Sequence, residues 1–387
     1  MRAFRFASLP LILLAACGGS NESIASGNGA VAPASQGHGG RPFKVEAVAD
    51  FDEPWAMTFL PDGRLLVTEK KGALKLLGKD GRIGTIAGTP EVAYGGQGGL
   101  GDVVLHPDFA NNARIYLSWV EAGENSTKGA AVGRGTLVLD DQGGGRIDGL
   151  QVIWRQEPKV EGNGHFSHRL AFSPDGYLFI SSGERQKFTP AQDMNQNLGK
   201  IVRLSDAGGI PGGNPFYDQG RIKAQIWSLG HRNALGIAFD SKGRLWETEM
   251  GPKGGDEVNL IQKGRNYGWP VVSNGDNYDG SPIPRHDTRP EFEAPKIWWN
   301  PSISPSSLMI YSGSLFPQWK GSAFIGALSG KALIRVALDG DKASKADQWD
   351  MGARIREVEQ GPEGAIWLLE DSGQGSEGRL LKLTPAG

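Results

Sequence analysis

A short unit recurs along this chain and restricts its fold more than any other feature. An apolar segment runs into a DG-type turn, then an alternating strand, then glycine and a second alternating strand. The first half reads FLPDGRLLVTE (59–69), FSPDGYLFISSGE (172–184), FDSKGRLWETE (239–249) and GPEGAIWLLED (361–371). The second half occurs six times, as GALKLL (72–77), GTLVL (135–139), GKIVRL (199–204), DEVNLI (256–261), GKALIRV (330–336) and GRLLKL (378–383). Helical periodicity is scarce, and turn signals of the DG, GG and NG type separate the runs. Copies about 50 to 75 residues apart suit four-stranded blades with irregular insertions. The expectation is an all-β chain: a six-bladed β-propeller of four-stranded antiparallel blades, built as one domain over residues 42–387. A β-sandwich would leave the repeat unexplained. The 58 glycines among 387 residues, roughly twice the ordinary share, follow from hairpin turns that need positive φ. Loops from all blades would then meet at one mouth of the central channel.

The N-terminus carries basic residues, an apolar run from Leu9 to Ala16, and then the only cysteine, Cys17. That run is too short to span a bilayer and reads as a secretory signal. Leu14-Ala15-Ala16-Cys17-Gly18 resembles a bacterial lipobox, so residues 1–17 are expected to be a lipoprotein signal whose cysteine is acylated. Acyl chains contribute about 0.8 kcal/mol per buried CH₂. Residues 18–41 form a polar Gly/Ser/Ala tether. Gly18, rather than an acidic residue, suggests an outer-membrane destination. The domain is thus expected outside the cytoplasm, in the periplasm, touching the membrane only through Cys17. A formal net charge of −2 gives no reason to expect a nucleic-acid partner. One cysteine also excludes an internal disulfide and clustered-thiolate metal sites.

Gly96–Gly101 satisfies GxGxxG, but GDVVLHPDF follows it, a strand and a turn where a dinucleotide site needs a helix. No HExxH and no GxSxG are present. The polar side chains concentrate in four stretches: Gly164-His165-Phe166-Ser167-His168-Arg169, Gly230-His231-Arg232-Asn233, the run from Glu249 to Glu257, and Arg354-Ile355-Arg356. Read alone, these describe a propeller with a histidine- and arginine-lined mouth suited to an anionic ligand.

PWAMTFLPDGRLLVTE, GGQGGLGDVVLHPDF, SHRLAFSPDGYLFISSGER, LGKIVRL, IWSLGHRN, GPKGGDEVNLI, NYGWPVV, NPSISPS and ARIREV occur in that order. Through them the chain resembles the soluble aldose dehydrogenases that depend on pyrroloquinoline quinone (PQQ), the glucose/sorbosone dehydrogenase family, from about residue 44 to 385. The resemblance implies a six-bladed propeller that oxidises aldose sugars at C1 to lactones and passes electrons to an external acceptor. It puts His165 in the role of general base, Gln97 beside the sugar, and Glu184 as the acid behind the histidine. Arg232 would contact the quinone carbonyl with Asn233 beside it. Arg354 and Arg356, two apart on one strand and expected to point the same way, would hold cofactor carboxylates. Ser302 matches a hydroxyl residue at the quinone, and Gly251 and Pro252 match two carbonyls that ligate Ca²⁺. Glu257 aligns with a carboxylate of a second, structural Ca²⁺.

The departures are as specific. Gly164 stands where glucose-oxidising members carry aspartate, His168 where glycine is usual, and Met250 where histidine is customary. Ser329 replaces a lysine, with Lys331 as the expected substitute. Asn300 and Ile297 stand where some members have rings, leaving Trp298 or Trp299 to supply one. A propeller of the same ancestry that binds without turnover, and a Ca²⁺-dependent lactone hydrolase, are the alternatives.

Overall fold

The computed structural model describes residues 40–387. The signal segment, Cys17 and the tether as far as residue 39 lie outside the described residues. The remainder is all-β, with only short helical turns. Strands Ser167–Phe172, Leu178–Ser182, Lys200–Leu204 and Ile226–Leu229 form one antiparallel four-stranded sheet. Ala234–Phe239, Leu245–Glu249, Asp256–Ile261 and Ile297–Trp299 form a second. Pro305–Ile310, Ala323–Ala327, Ala332–Asp339 and Lys342–Asp350 form a third. A fourth joins Ile355–Gln360, Ile366–Glu370 and Arg379–Pro385 to Phe43–Asp50, so the two ends of the described chain lie in one sheet. The eight-stranded sheet consists of two antiparallel groups of four, Pro54–Phe59 to Ile83–Ala87 and Leu100–Leu105 to Gly145–Arg155. They meet through a short parallel pairing of Ile86 with Gly145 and Ala87 with Arg146.

Each recurrent motif occupies the same place in its group. The DG-turn segments lead into second strands, and the six second halves lie in third strands. In the first turn, Gly63 at φ +88° donates its N–H to Leu60 O, and Asp62 accepts the Arg64 N–H. Apolar faces of adjacent groups close on each other. Leu66, Leu74 and Leu76 pack with Leu117, Trp119 and Ala131, each large side chain contributing about 1.5–3 kcal/mol of burial.

The six first strands pack in chain order, each against the next, and Ile355–Gln360 packs back against Pro54–Phe59. Every one of them slips register near its start, between Pro54/Ala56, Leu100/Val103, Ser167/Leu170, Ala234/Gly236, Pro305/Ser307 and Ile355/Glu357. Bulges of this kind re-aim side chains, and the polar stretches singled out in the sequence sit at or beside them. Among the described residues, no helix is long and apolar enough to cross a membrane.

Candidate active site

The stretch ahead of strand Ser167–Phe172 is shaped by unusual backbone: His165, Ser167 and His168 carry φ of 51°, 58° and 56°. Non-glycine residues adopt that region rarely, and where they do the surroundings must hold them. Arg185 does much of this. Its guanidinium donates to the carbonyls of Gly164 (3.0 Å), Gly162 (2.7 Å) and Lys128 (2.5 Å) and lies 3.8 Å from the Phe166 ring centroid. Gln97, in the turn 95–98, accepts the His165 N–H at 2.8 Å. The Gln186 amide lies 2.7 Å from where a Cβ on Gly164 would stand, so a larger residue there requires Gln186 to move.

His165 Nδ1 is hydrogen-bonded to Glu184 Oε1, and Glu184 Oε2 accepts the N–H groups of Lys187 (2.6 Å) and Phe188 (2.5 Å). Both side chains are buried. Burial pushes the His165 pKa below the usual imidazole value, and the Glu184 hydrogen bond opposes that shift. Burial also raises Glu184, but the bond from His165 and the nearby charges outweigh it and hold the carboxyl below its ordinary value. The pair is thus a neutral imidazole on an ionised carboxylate. With Nδ1–H donated to Glu184, Nε2 is the nitrogen that can accept a proton.

On the facing strands, Glu249 Oε2 accepts the backbone N–H groups of Arg232 (2.5 Å) and Asn233 (3.1 Å). The Arg232 guanidinium gives Nη1–H to Met250 O (3.0 Å) and Gly251 O (2.7 Å) and Nη2–H to the Tyr278 hydroxyl (3.0 Å). Its Nε is buried without a partner. Asn233 accepts from Ser167 Oγ at 3.1 Å, linking this group to the histidine stretch. The loop 251–256 folds tightly: a Cβ on Gly251 would stand 2.3 Å from Gly254 O. Asp256 organises it, accepting Gly251 N–H (2.8 Å) and the N–H groups of Ile303 and Ser304 (both 2.7 Å).

A cavity of about 370 Å³ opens beside these groups, with Gln97, Ser167, His168, Met250, Arg354 and Arg356 in its wall. Arg354 and Arg356 converge, as the alternation predicts, on one carboxylate. Arg354 Nε reaches Asp371 Oδ2 at 2.9 Å, and Arg356 Nε and Nη2 reach Oδ1 at 3.1 and 3.0 Å. Of the charged side chains in the wall, Lys70, Arg354 and Arg356 are cationic, against the carboxylates Glu53 and Asp371. The excess is positive.

His168 is equally buried but differently partnered. Its Nδ1 is hydrogen-bonded to Ser118 Oγ at 2.7 Å, and that oxygen also accepts the Asp102 N–H (2.8 Å); the ring's Nε2 is buried without a partner. The ring stacks on Trp55 (5.0 Å, 10°), whose ring in turn lies 4.0 Å from Arg169 Cζ. Burial and the Arg169 charge push its pKa down to about 3.

His165, Glu184, Arg232, Asn233 and Gly251 are not themselves in the cavity wall, and Arg232 and Gly251 line a separate small pocket. The remaining sequence candidates lie apart from the cavity wall as well. Ser302 Oγ accepts the Gly254 N–H at 3.0 Å. Lys331 is exposed, and its side chain makes no hydrogen bond or ion pair among the described residues. Trp299 is buried and Trp298 exposed, on the outermost strand of its sheet; neither lines the cavity. Pro252 is buried beside Gly251. Glu257 lies in a separate buried group: 3.4 Å from Asn259 Nδ2, 3.7 Å from His286 Nε2, and pushed up by burial. Next to it, His231, Glu247 and Glu249 bring ligand-type atoms within 4.8 Å of one another. Burial first, and then the Glu249 charge, hold the Glu247 carboxyl well above its usual value. Arg185, Asp256, Tyr278 and Asp371 are the functional neighbours that sequence reading missed. Arg185, Asp256 and Asp371 sat inside motifs already quoted; Tyr278 did not.

The family profile described as Glucose / Sorbosone dehydrogenase matches residues 51–382. Aldose sugar dehydrogenase YliI of Escherichia coli (strain K12) is 43% identical over 350 residues, covering 88% of this chain and 92% of that protein. The crystal structure of the soluble aldose sugar dehydrogenase from Escherichia coli, in the apo-form, superposes with a TM-score of 0.82 at 41% identity, covering 89% and 99% of the two chains. The PQQ-bound form of aldose sugar dehydrogenase from Streptomyces coelicolor superposes with a TM-score of 0.72 at 28% identity, covering 88% and 98%.

Proposed function

The chain belongs to the glucose/sorbosone dehydrogenase family and is an oxidoreductase, and we propose that it oxidises aldose sugars at C1 to lactones with PQQ and Ca²⁺. The observation that carries this reading is His165: a buried, neutral imidazole held on an ionised carboxylate beside a cavity with excess positive charge. A tricarboxylate such as PQQ suits that excess, and the unpartnered Arg232 Nε leaves a donor to satisfy. Two adjacent backbone carbonyls, Gly251 and Pro252, are hard donors suited to Ca²⁺; here Arg232 supplies the positive partner of the Gly251 carbonyl.

When bound, PQQ would supply the two-electron acceptor that ordinary side chains lack, and Ca²⁺, held by the Gly251 and Pro252 carbonyls, would supply a hard positive charge. The protein's own groups do the rest. His165 Nε2 takes the anomeric hydroxyl proton while Nδ1–H stays on Glu184, which holds the ring and stabilises the imidazolium. Gln97 fixes the His165 backbone and borders the sugar. Arg232 and Asn233 orient the acceptor side, and Arg354 and Arg356 hold carboxylates. The C1–H bond breaks with its electron pair leaving on the hydrogen as a hydride, which the bound quinone would accept; C1 becomes the lactone carbonyl, and an external acceptor finally receives the two electrons. We infer also that the six four-strand groups are six propeller blades in one domain, residues 42–387. The successive packing of their first strands supports this. Lipid attachment at Cys17 and a periplasmic, outer-membrane location are proposed from the lipobox-like run alone.

The test is an absorbance titration of the protein with PQQ in the presence of Ca²⁺, followed by aldose-driven reduction of an artificial dye. Saturable binding and dye reduction requiring both PQQ and an aldose are expected. Absence of PQQ binding removes the reading, and binding without reduction by any aldose leaves a ligand-binding propeller.

A further inference from the structure

Tyr278 has the most exposed large ring of the described residues, at 70%, yet its hydroxyl is tied to the site by the Arg232 Nη2 bond. The hairpin that carries it is strapped down. Lys253 and Asp276 exchange backbone hydrogen bonds at 3.0 and 3.1 Å, joining the hairpin to the loop 251–256. Arg285 donates to Gly275 O and Asp276 Oδ1, both at 2.7 Å. A Cβ on Gly275 would stand 2.2 Å from Gly254 O, so the two backbones touch. At the hairpin's base, Ile283 packs with Trp269, whose ring centroid lies 5.1 Å from the Arg232 guanidinium. The contacts therefore close a circuit: Tyr278 to Arg232, Arg232 to Gly251, and the loop 251–256 back to the hairpin.

We propose that Tyr278 is a positioning residue for the reaction, its hydroxyl fixing the orientation of the Arg232 guanidinium at the mouth. Anchored at Nη1 alone, a planar guanidinium can turn about that contact; a second fixed point at Nη2 removes the freedom. The inference rests on the role proposed for Arg232. Tyr278→Phe deletes only the hydroxyl, and Tyr278→Ala deletes the ring as well. Both should fold, since the ring is exposed, and melting temperatures should match the wild type. PQQ-dependent aldose oxidation by Tyr278→Phe should lose about five- to twentyfold in kcat with the aldose KM changed less than twofold. PQQ affinity, read by absorbance titration without sugar, should weaken about threefold or more, and Tyr278→Ala should match Tyr278→Phe in both. Wild-type kcat and PQQ affinity in Tyr278→Phe overturn the inference. So does a far larger loss in Tyr278→Ala, which would assign the role to the ring, or a raised PQQ affinity, which would make the contact a competitor of the ligand. A wild-type protein that binds no PQQ overturns the function reading and this inference together, whereas a normal wild type beside a normal Tyr278→Phe overturns Tyr278 alone.

Discussion

His165 and His168 stand three residues apart in one stretch, both buried and both at positive φ, yet their surroundings give them opposite chemistry. His165 faces a carboxylate that opposes the effect of burial. His168 faces a hydroxyl, stacks on Trp55 and feels the Arg169 charge, and its pKa falls to about 3. Burial is common to both, so the partner decides. His165 carries a carboxylate on Nδ1, whereas His168, in the cavity wall, sits between the Ser118 hydroxyl and the Trp55 ring. Damage at the two histidines should therefore be read by different measurements: turnover for the first, melting for the second.

The largest effect is expected around His168. Arg169 lies against Glu357 and 3.6 Å from Asp102, and donates to Leu235 O (2.8 Å) and Ser306 O (2.7 Å). Arg169→Met leaves Asp102 without its cation and the Leu235 and Ser306 carbonyls without their donor, and should cost about 3–5 kcal/mol in denaturant unfolding. Glu357 is already pushed up to about 8 by burial. His165→Ala should lose at least about a hundredfold in kcat while an absorbance titration still shows PQQ bound. His168→Asn, which keeps a polar partner for Ser118, should stay within about threefold of wild-type kcat; an equal loss in both variants would erase the distinction. The smallest effect is expected for Ser118→Ala, about 1 kcal/mol of stability with unchanged turnover.

The repeat was legible because every copy serves the same structural purpose: DG-type turns feed second strands, and the six second-half segments, five of them glycine-led, fall in third strands. Candidate residues were legible where they cluster in sequence, as in 164–170 and 230–233. Partners supplied by distant segments were not. Asp371, which binds both Arg354 and Arg356, follows a strand that reads only as repeat, and Tyr278 lies in a hairpin without a periodic signal. Lys331 was proposed from its nearness to Ser329, but the turn at φ 47° leaves it exposed and outside the cavity wall.

The contrast between the histidines rests on Glu184, and the pH dependence of kcat/KM tests it most directly, because it reports the base in the free enzyme. A base works only when unprotonated, so activity falls as pH drops through its pKa. Burial places that limb below about 6.5, the ordinary histidine value. Glu184 raises the His165 pKa, so Glu184→Gln should move the limb to still lower pH and reduce the plateau about tenfold. A limb unmoved by Glu184→Gln, or one displaced to higher pH, would contradict the assignment of the His165–Glu184 pair as the proton acceptor.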